Sequence, residues 1–338
     1  MYRILNLALI VLLMACGDSR ETRIQRFLLQ GNDMITEHSP EQAERYFKEA
    51  LKLDSCFADA WNNLGTLYYN QSKYSEAVEH YNHALECRPS YVDANLNRAN
   101  AFYELKEYYS ALADLEKVQA KKPDTSILYF SKGLTFTRLR RYDEALTEFR
   151  RAQKLGGSKE DEVLVNLGTL YYYKKSFDSA KLFLEEAIKI NDKQSNAYNA
   201  MGMISIEQKK YSDAMHWIEK ALSVSPGDAF FLNNRGYVYL MMNDLEHAKR
   251  DIDESITIDP YNGWAYRNKG LYYLATKQYA DAVRVLKQAE SMDPFIDQVY
   301  IHLAEAYLQT GDYANACKAY ERSVKNNEGG GTTMKPCK

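Results

Sequence analysis

The sequence predicts an all-α solenoid of repeated helix pairs, and the spacing of its small residues is the first reason. Pro89 and Pro123 are 34 residues apart, and Pro226, Pro260 and Pro294 keep the same interval. Glycine recurs at nearly the same period, with alanine in its place twice: Gly31, Gly65, Ala99, Gly133, Gly168, Gly202, Gly236, Gly270 and Ala304. A period near 34 residues is typical of a solenoid in which each period forms one supersecondary unit.

A second series of small residues contains alanine in every period. Its members are Ala43, Ala77, Ala111, Ala145, Ala180, Ala214, Ala248, Ala282 and Ala316. These nine alanines predict nine repeats, at 24–57, 58–91, 92–125, 126–160, 161–194, 195–228, 229–262, 263–296 and 297–330, with a one-residue insertion near Gly156. We expect the small residues of both series to lie where the two helices of a pair cross closely.

Within one period, residues 58–91 show the apolar spacing of two helices. Small and apolar residues recur at helical intervals on both sides of a polar turn at 70–73: Trp61, Leu64, Gly65 and Tyr68 before it, and Ala77, Tyr81 and Ala84 after it. This pattern, closed by Pro89, resembles the tetratricopeptide repeat (TPR), and the resemblance extends over 24–330. It implies a right-handed superhelix of antiparallel helix pairs in which the first helix of each pair, helix A, lines a concave groove.

The first sixteen residues predict an export and anchoring signal. Arg3 is the only charged residue before Asp18, and residues 4–15 are apolar except for Asn6. As a helix these twelve residues would span about 18 Å, less than the roughly 30 Å hydrocarbon core of a bilayer, so we expect a signal peptide at 1–15. Residues 13–16 resemble a bacterial lipobox, which implies acyl chains such as palmitate on Cys16. The alternative is an ordinary secretory signal that leaves a free thiol at Cys16.

The segments on either side of the repeats predict how the solenoid is attached and how it ends. Residues 16–23 are expected to form a lipid-anchored linker that reaches about 25 Å when fully extended. Gly17 directly follows the cysteine, and among the lipoproteins that this segment resembles, Asp at that position favours inner-membrane retention. We therefore expect a bacterial cell-envelope protein at the outer membrane. Residues 331–338 are expected to be a flexible tail, so the last helix caps itself or meets a partner.

No catalytic constellation stands out in the sequence. None of the six histidines has cysteine or carboxylate residues at metal-ligand spacing, and there is no phosphate-binding loop, nucleophile elbow or HExxH motif. We therefore expect no enzyme activity, no cofactor and no metal site. The net charge of −3 argues against nucleic acid as a partner, because phosphate contacts require an excess of Lys and Arg.

Four cysteines lie beyond Cys16, at Cys56, Cys87, Cys317 and Cys337. In an oxidising envelope Cys317 could pair with Cys337 across the glycine run at 329–331. Free thiols are the state that we favour for all four.

Asparagine recurs at the sixth position of several repeats and predicts a binding surface. The residues are Asn63, Asn97, Asn166, Asn234 and Asn268. Because an amide both donates and accepts hydrogen bonds, such a row can hold an extended peptide backbone, and it resembles the asparagine ladder of O-GlcNAc transferase TPRs. The alternative is that asparagine is merely common at this position. The carboxylate clamp of chaperone-binding TPRs is not expected, because Leu28 occupies its first lysine position, and Asp93 and Asn97 occupy the positions that would need Lys and Arg.

The sixth to eighth repeats predict an apolar groove. The groove residues are Met203, Phe230, Asn234, Tyr237, Met241, Trp264, Arg267, Asn268 and Leu271. Methionine and aromatic side chains suit an amphipathic helix or an extended apolar peptide, and Arg267 and Asn268 would supply polar fixing points. The alternative is that superhelical curvature buries some of these residues against neighbouring A helices.

Two functions follow from this reading. The first is a membrane-tethered adaptor that holds a protein or peptide partner, similar to TPR lipoproteins that position peptidoglycan hydrolases or help to assemble pili and secretion machines. The second is a structural component that forms a homodimer or larger assembly through its uncapped ninth repeat. A hydrolase ranks last, because no nucleophile, base and orienting group occur together.

Overall fold

The computed structural model describes residues 19–157, 159–328 and 337, and within them it contains eighteen α-helices. The chain divides into two compact units, Met1–Lys159 and Glu160–Lys338. In the part of the chain that is described, no helix has both the length and the apolar character needed to cross a bilayer. The predicted signal peptide, Cys16 and most of the predicted tail lie outside the described residues.

The first unit contains four helix pairs. They are α1 (Arg20–Thr36) with α2 (Pro40–Leu53), α3 (Ala58–Asn70) with α4 (Tyr74–Cys87), α5 (Val92–Glu104) with α6 (Tyr108–Lys121), and α7 (Ser126–Arg138) with α8 (Tyr142–Leu155). Odd-numbered helices are the A helices and even-numbered helices are the B helices, here and in the second unit.

The second unit contains five helix pairs. They are α9 (Glu160–Tyr173) with α10 (Phe177–Ile190), α11 (Ser195–Glu207) with α12 (Tyr211–Val224), α13 (Ala229–Met241) with α14 (Leu245–Ile258), α15 (Gly263–Ala275) with α16 (Tyr279–Met292), and α17 (Val299–Gln309) with α18 (Tyr313–Lys325). The predicted all-α fold of helix pairs is confirmed.

The turn between the two helices of a pair has the same hydrogen-bonding pattern throughout the described residues. In the second pair, the backbone N–H of Ser72 donates to Tyr69 O at 2.9 Å and that of Lys73 to Tyr68 O at 3.0 Å, while Ser72 has φ 60°. These bonds satisfy carbonyl groups that the end of α3 leaves unpaired. Most of these turns place a non-glycine residue at positive φ, so the sequence carries no glycine signal for them; Gly311 in the last turn is the exception.

The two series of small residues meet at the helix crossings, as predicted. Every alanine of the second series is fully buried. A Cβ added to Gly168 would lie 2.7 Å from Leu184 Cγ and 3.1 Å from Ala180 O. The glycine therefore lets the backbone of α9 approach α10 more closely than any side chain would permit.

Replacing Gly168 with alanine is expected to lower the free energy of unfolding by about 1–3 kcal/mol, because the added methyl group overpacks the crossing. This loss outweighs the better helix propensity of alanine, which is worth about 1 kcal/mol. Chemical denaturation of the full chain would measure it. Gly227→Ala is the matched control, since a Cβ there meets nothing within 4 Å, and a Gly168 variant as stable as that control would show that the crossing tolerates a side chain.

The predicted linker is shorter than expected, because α1 begins inside it at Arg20. The Ser19 hydroxyl oxygen accepts from the Thr22 N–H at 3.1 Å and so caps the helix. Arg20 Nε donates to Leu53 O at 2.7 Å and fastens this first turn to the end of α2. Residues 20–23 thus belong to the helical array.

The four cysteines beyond Cys16 form two disulfides, so the expectation of free thiols is wrong. Cys56 pairs with Cys87, 31 residues along the chain, and Cys317 pairs with Cys337. Cys56 lies just before α3 and Cys87 ends α4, so the antiparallel arrangement of these two helices brings the start and the end of one pair together. The second disulfide fastens residue 337 of the predicted tail to α18.

Candidate functional site

The predicted groove residues lie on the A helices of the second unit. On α13, Phe230, Asn234, Tyr237 and Met241 follow one another at intervals of four, three and four residues, which places them on one helix face. The residues on α15 share a face for the same reason: Trp264, Arg267, Asn268 and Leu271. Met203 lies on α11.

These residues divide into an exposed apolar group and a buried polar group. Phe230 is 52% exposed, Trp264 41% and Met241 37%. Arg267 and Asn268 are buried, and Leu271 packs against the core around Ile252. The apolar part of the face is therefore open to a partner, and the polar fixing points lie beneath it.

Most asparagines of the row hydrogen-bond to an asparagine of the preceding A helix that lies outside the row. Between neighbouring A helices, one asparagine Nδ2 donates to the Oδ1 of another: Asn63 to Asn32 at 2.8 Å, Asn97 to Asn62 at 3.0 Å, Asn234 to Asn199 at 2.9 Å and Asn268 to Asn233 at 2.8 Å. Asn166 departs from the pattern and donates to Glu162 O of its own helix at 2.8 Å. The amides thus join adjacent repeats, and backbone binding by the row stays a prediction.

Buried ion pairs join A helices to B helices, and the sequence analysis missed them. Arg98 Nε lies 2.6 Å from Asp114 Oδ2, and Arg235 Nε lies 2.5 Å from Asp251 Oδ2. Both pairs are 16 residues apart, the separation of Gly168 and Leu184 across a crossing. Burial opposes the charge of Arg235, but the Asp251 carboxylate outweighs it and raises the pKa of Arg235. A search for opposite charges 16 residues apart would have found these pairs.

Arg267 has different hydrogen-bond partners from Arg98 and Arg235. It is 5% exposed; Nη1 donates to Asn268 Oδ1 at 2.8 Å and Nη2 to Gln298 Oε1 at 3.2 Å. The Tyr237 ring centroid lies 5.1 Å from Cζ, and Nε has no hydrogen-bond partner. Burial lowers the pKa of this guanidinium. The guanidinium therefore hydrogen-bonds to neutral groups, while the charges of Asp297 and Glu328 also favour its charged form.

His302 adds a second polar group beside this site. It lies one helical turn after Gln298, and neither ring nitrogen has a hydrogen-bond partner. Its Nδ1 lies 3.8 Å from Glu305 Oε2. Burial lowers the pKa of His302, and the charge of Arg267 lowers it further while Glu305 opposes this. The burial of His302 and the charge of Arg267 therefore both favour the neutral imidazole.

A partly polar cavity in the first unit offers little room for a small molecule. A cavity of about 180 Å³ in the first unit is lined by Tyr69, Tyr103, Glu104 and Phe130, among others, which is below the usual size of a ligand pocket, roughly 300–1,000 Å³. Burial and the nearby Glu104 raise the pKa of Tyr69 to about 12. Among the residues placed by the structure, no three His, Cys, Asp or Glu side chains gather as a metal site would require.

The recurring crossing, turn and inter-helix asparagine contacts define a helical-repeat protein. The chain is a tetratricopeptide repeat protein. Family models described as tetratricopeptide repeat match residues 58–91, 231–262 and 267–330, and a model of the Psidin N-terminal TPR repeats region matches 98–218. The match at 58–91 has the same limits as the predicted second repeat. TPR arrays typically act as non-catalytic scaffolds that bind protein partners.

Solved structures share this fold at low sequence identity. A chain of the APC/C hetero-tetramer Cut9–Hcn1 aligns with a TM-score of 0.66 and 15% identity over 95% of this chain. The present chain covers 63% of that one. PilW, described as a widely conserved type IV pilus biogenesis factor, aligns with a TM-score of 0.54 and 18% identity over 62% of this chain and 96% of its own. No curated protein matches the chain significantly.

Proposed function

We propose that this TPR scaffold is a lipid-anchored, non-enzymatic adaptor of the bacterial cell envelope that binds a protein partner through the A helices of its second unit. The observation that carries the proposal is the exposed face of Phe230, Met241 and Trp264 on α13 and α15. Large apolar side chains exposed together on neighbouring elements mark interaction surfaces more often than isolated ones do.

The anchor and the location rest on the sequence of residues 1–16, with Cys16 as the lipidated residue and the outer membrane as the expected site. The two disulfides support an exported protein, because disulfides persist in oxidising compartments and are rare in the cytosol. The fold shared with PilW supports a role in an envelope assembly. At that level of identity the likeness concerns the fold and leaves the pathway open.

Affinity capture of the full chain from gently solubilised membranes tests the binding face. The variant Trp264→Ala/Met241→Lys is expected to lose a small set of partner proteins that the unchanged chain retains, because it removes an aromatic anchor and places a charge on the apolar face. Mass spectrometry identifies the retained proteins, and circular dichroism confirms that the variant is folded.

The matched control is Tyr261→Ala/Met242→Lys, which alters two neighbouring exposed residues that lie outside α13 and α15. We expect this control to retain the partners. If the unchanged chain and both double variants each recover only this protein and no other, the adaptor function is contradicted. That result would favour self-association through the ninth repeat, where α18 exposes Tyr313 and Val324.

A further inference from the structure

The first A helix, α1, exposes a side that the later A helices bury. Arg26 occupies the third position of its repeat and is exposed, whereas each later repeat has a buried apolar residue at that position. Those residues are Ala60, Ala94, Leu128, Val163, Ala197, Phe231, Ala265 and Val299. Among the described residues no helix pair precedes α1, so its third position has no preceding pair to pack against.

An exposed leucine lies on the same side of α1. Leu29 is 61% exposed and occupies the repeat position at which Asn63 bonds to the preceding A helix. Arg23, which is exposed, Arg26 and Leu29 follow one another at intervals of three residues and so lie along one side of the helix. We call these three residues the α1 face. Glu21, the only acidic residue in the first two turns, lies about 140° around the helix from Arg26.

The arginines lie at the end of the helix that favours negative charge. The N-terminus of a helix carries a partial positive charge, so cations in the first turns are unfavourable there. Arg20 has a structural role, because its Nε donates to Leu53 O. That contact does not account for Arg23 and Arg26. An anionic surface close to the start of α1 would offset the cost of placing them there.

The proposed lipid anchor would bring such a surface close. Cys16 lies four residues before Arg20, so the extended chain between them reaches at most about 14 Å. Arg23 and Arg26 follow at about 4.5 and 9 Å along the helix axis. The Debye length at physiological ionic strength is about 8 Å. Acyl chains on Cys16 would therefore hold the start of α1 within two Debye lengths of the phospholipid headgroups.

We propose that the α1 face lies on the anionic phospholipid headgroups of the membrane that holds the acyl chains of Cys16. This inference rests on the proposed lipid anchor. The guanidinium groups of Arg23 and Arg26 donate to headgroup phosphates in the bidentate geometry that arginine favours. Leu29 enters the interface beside them, as apolar residues do in helices that lie on a membrane.

The α1 face orients the protein and does not replace its anchor. Stretches that bind anionic lipids through charge contain about 4–8 Lys or Arg residues, and α1 contains three arginines. The acyl chains therefore hold the chain at the membrane, and the α1 face determines which side of the first helix pair rests on it.

Chemical modification of arginine in the acylated full chain tests the proposal. Intact-mass spectrometry first confirms the acyl chains on Cys16. The chain is then reconstituted in vesicles of phosphatidylcholine alone and of phosphatidylcholine with about one third phosphatidylglycerol. Phenylglyoxal, an uncharged reagent, modifies exposed guanidinium groups, and peptide mass spectrometry measures the rate at each arginine. The anchor is the same in both vesicles, so a difference between them reports the headgroup charge.

Modification of Arg23 and Arg26 is expected to be about fivefold slower in the anionic vesicles, the factor that corresponds to one arginine near an anionic surface. Salt at about 1 M, where the Debye length is about 3 Å, is expected to abolish the difference. Arg284, an exposed arginine of α16, is the internal control and is expected to react equally in both vesicles.

Leu29→Glu tests the face itself, because it removes the apolar contact and places a carboxylate beside the two arginines. We expect this variant to lose most of the protection of Arg23 and Arg26. The matched control is Leu182→Glu, which changes a leucine of α10 that is 64% exposed and is expected to leave the protection unchanged. Circular dichroism checks the fold of both variants.

Equal modification rates in the two kinds of vesicle, or undiminished protection in Leu29→Glu, would overturn the inference. Protection that rises with protein concentration in neutral vesicles would also overturn it, because a second copy of the chain would then cover the α1 face. Failure of the anchor has a different signature. In that case intact mass shows no acyl chain on Cys16 and the chain stays on neither vesicle, which contradicts both proposals.

Discussion

Replacing Arg235 with methionine is expected to lower the free energy of unfolding by about 3 kcal/mol. The variant leaves the carboxylate of Asp251, which is fully buried, without its main partner, and breaking a buried ion pair in this way costs about 3–5 kcal/mol. The lower end is expected because Arg250 also approaches Asp251 Oδ1, at 3.3 Å. Denaturant unfolding of the full chain monitored by circular dichroism would measure the change.

Arg267→Met is the matched control for that experiment. Both arginines lie on consecutive A helices of the second unit, but Arg267 donates to the neutral amide oxygens of Asn268 and Gln298, so its removal breaks no ion pair. Its free energy of unfolding is therefore expected to stay within about 1 kcal/mol of the unchanged chain, since well-packed apolar residues replace buried charges at little cost. Equal destabilisation by the two substitutions would mean that side-chain volume, and not charge pairing, governs these positions.

Replacing Cys16 with alanine is expected to release the protein from the membrane. A sulfur that carries acyl chains provides the only anchor proposed here, and more than one chain is needed for stable attachment. Cell fractionation with immunoblotting would follow the chain from the membrane pellet to the soluble fraction of the envelope. Labelling with a palmitate analogue would be lost at the same time.

Gly17→Asp is the control within the same segment, because it keeps Cys16. It is expected to leave the protein lipidated and membrane-bound while moving it from the outer to the inner membrane. A Cys16→Ala protein that remained in the pellet would contradict the lipid anchor and leave an ordinary secretory signal as the explanation of residues 1–15. An unchanged distribution of Gly17→Asp would contradict only the choice of membrane.

Local and periodic features were predictable from the sequence. The glycine and alanine series located the helix crossings, because a close backbone approach excludes most side chains, and Gly168 against Leu184 and Ala180 shows this contact directly. The start of α1 was missed, although Ser19 carries a capping signal three residues before Thr22. The repeat period sets the first repeat at 24–57, so residues 20–23 were assigned to the linker.

Contacts between side chains of different helices were much less predictable. The asparagine row was recognised, but the hydrogen bonds that join its amides to asparagines of neighbouring A helices were not predicted. Arg267 and Asn268 were expected to supply polar fixing points in the groove, and both are buried while Phe230 and Trp264 remain exposed. Burial at these positions depends on how neighbouring A helices stack, which no single repeat encodes.

By itself the sequence determined that this protein is an array of helix pairs, because its period, small residues and apolar spacing are local patterns that recur in nearly every repeat. Only the tertiary structure decided which polar and sulfur atoms meet. Cys56 meets Cys87, Asp251 pairs with Arg235, and Arg267 donates to the amide oxygen of Asn268. Each of these outcomes depends on distances between separate helices, and those distances arise only when the helices pack.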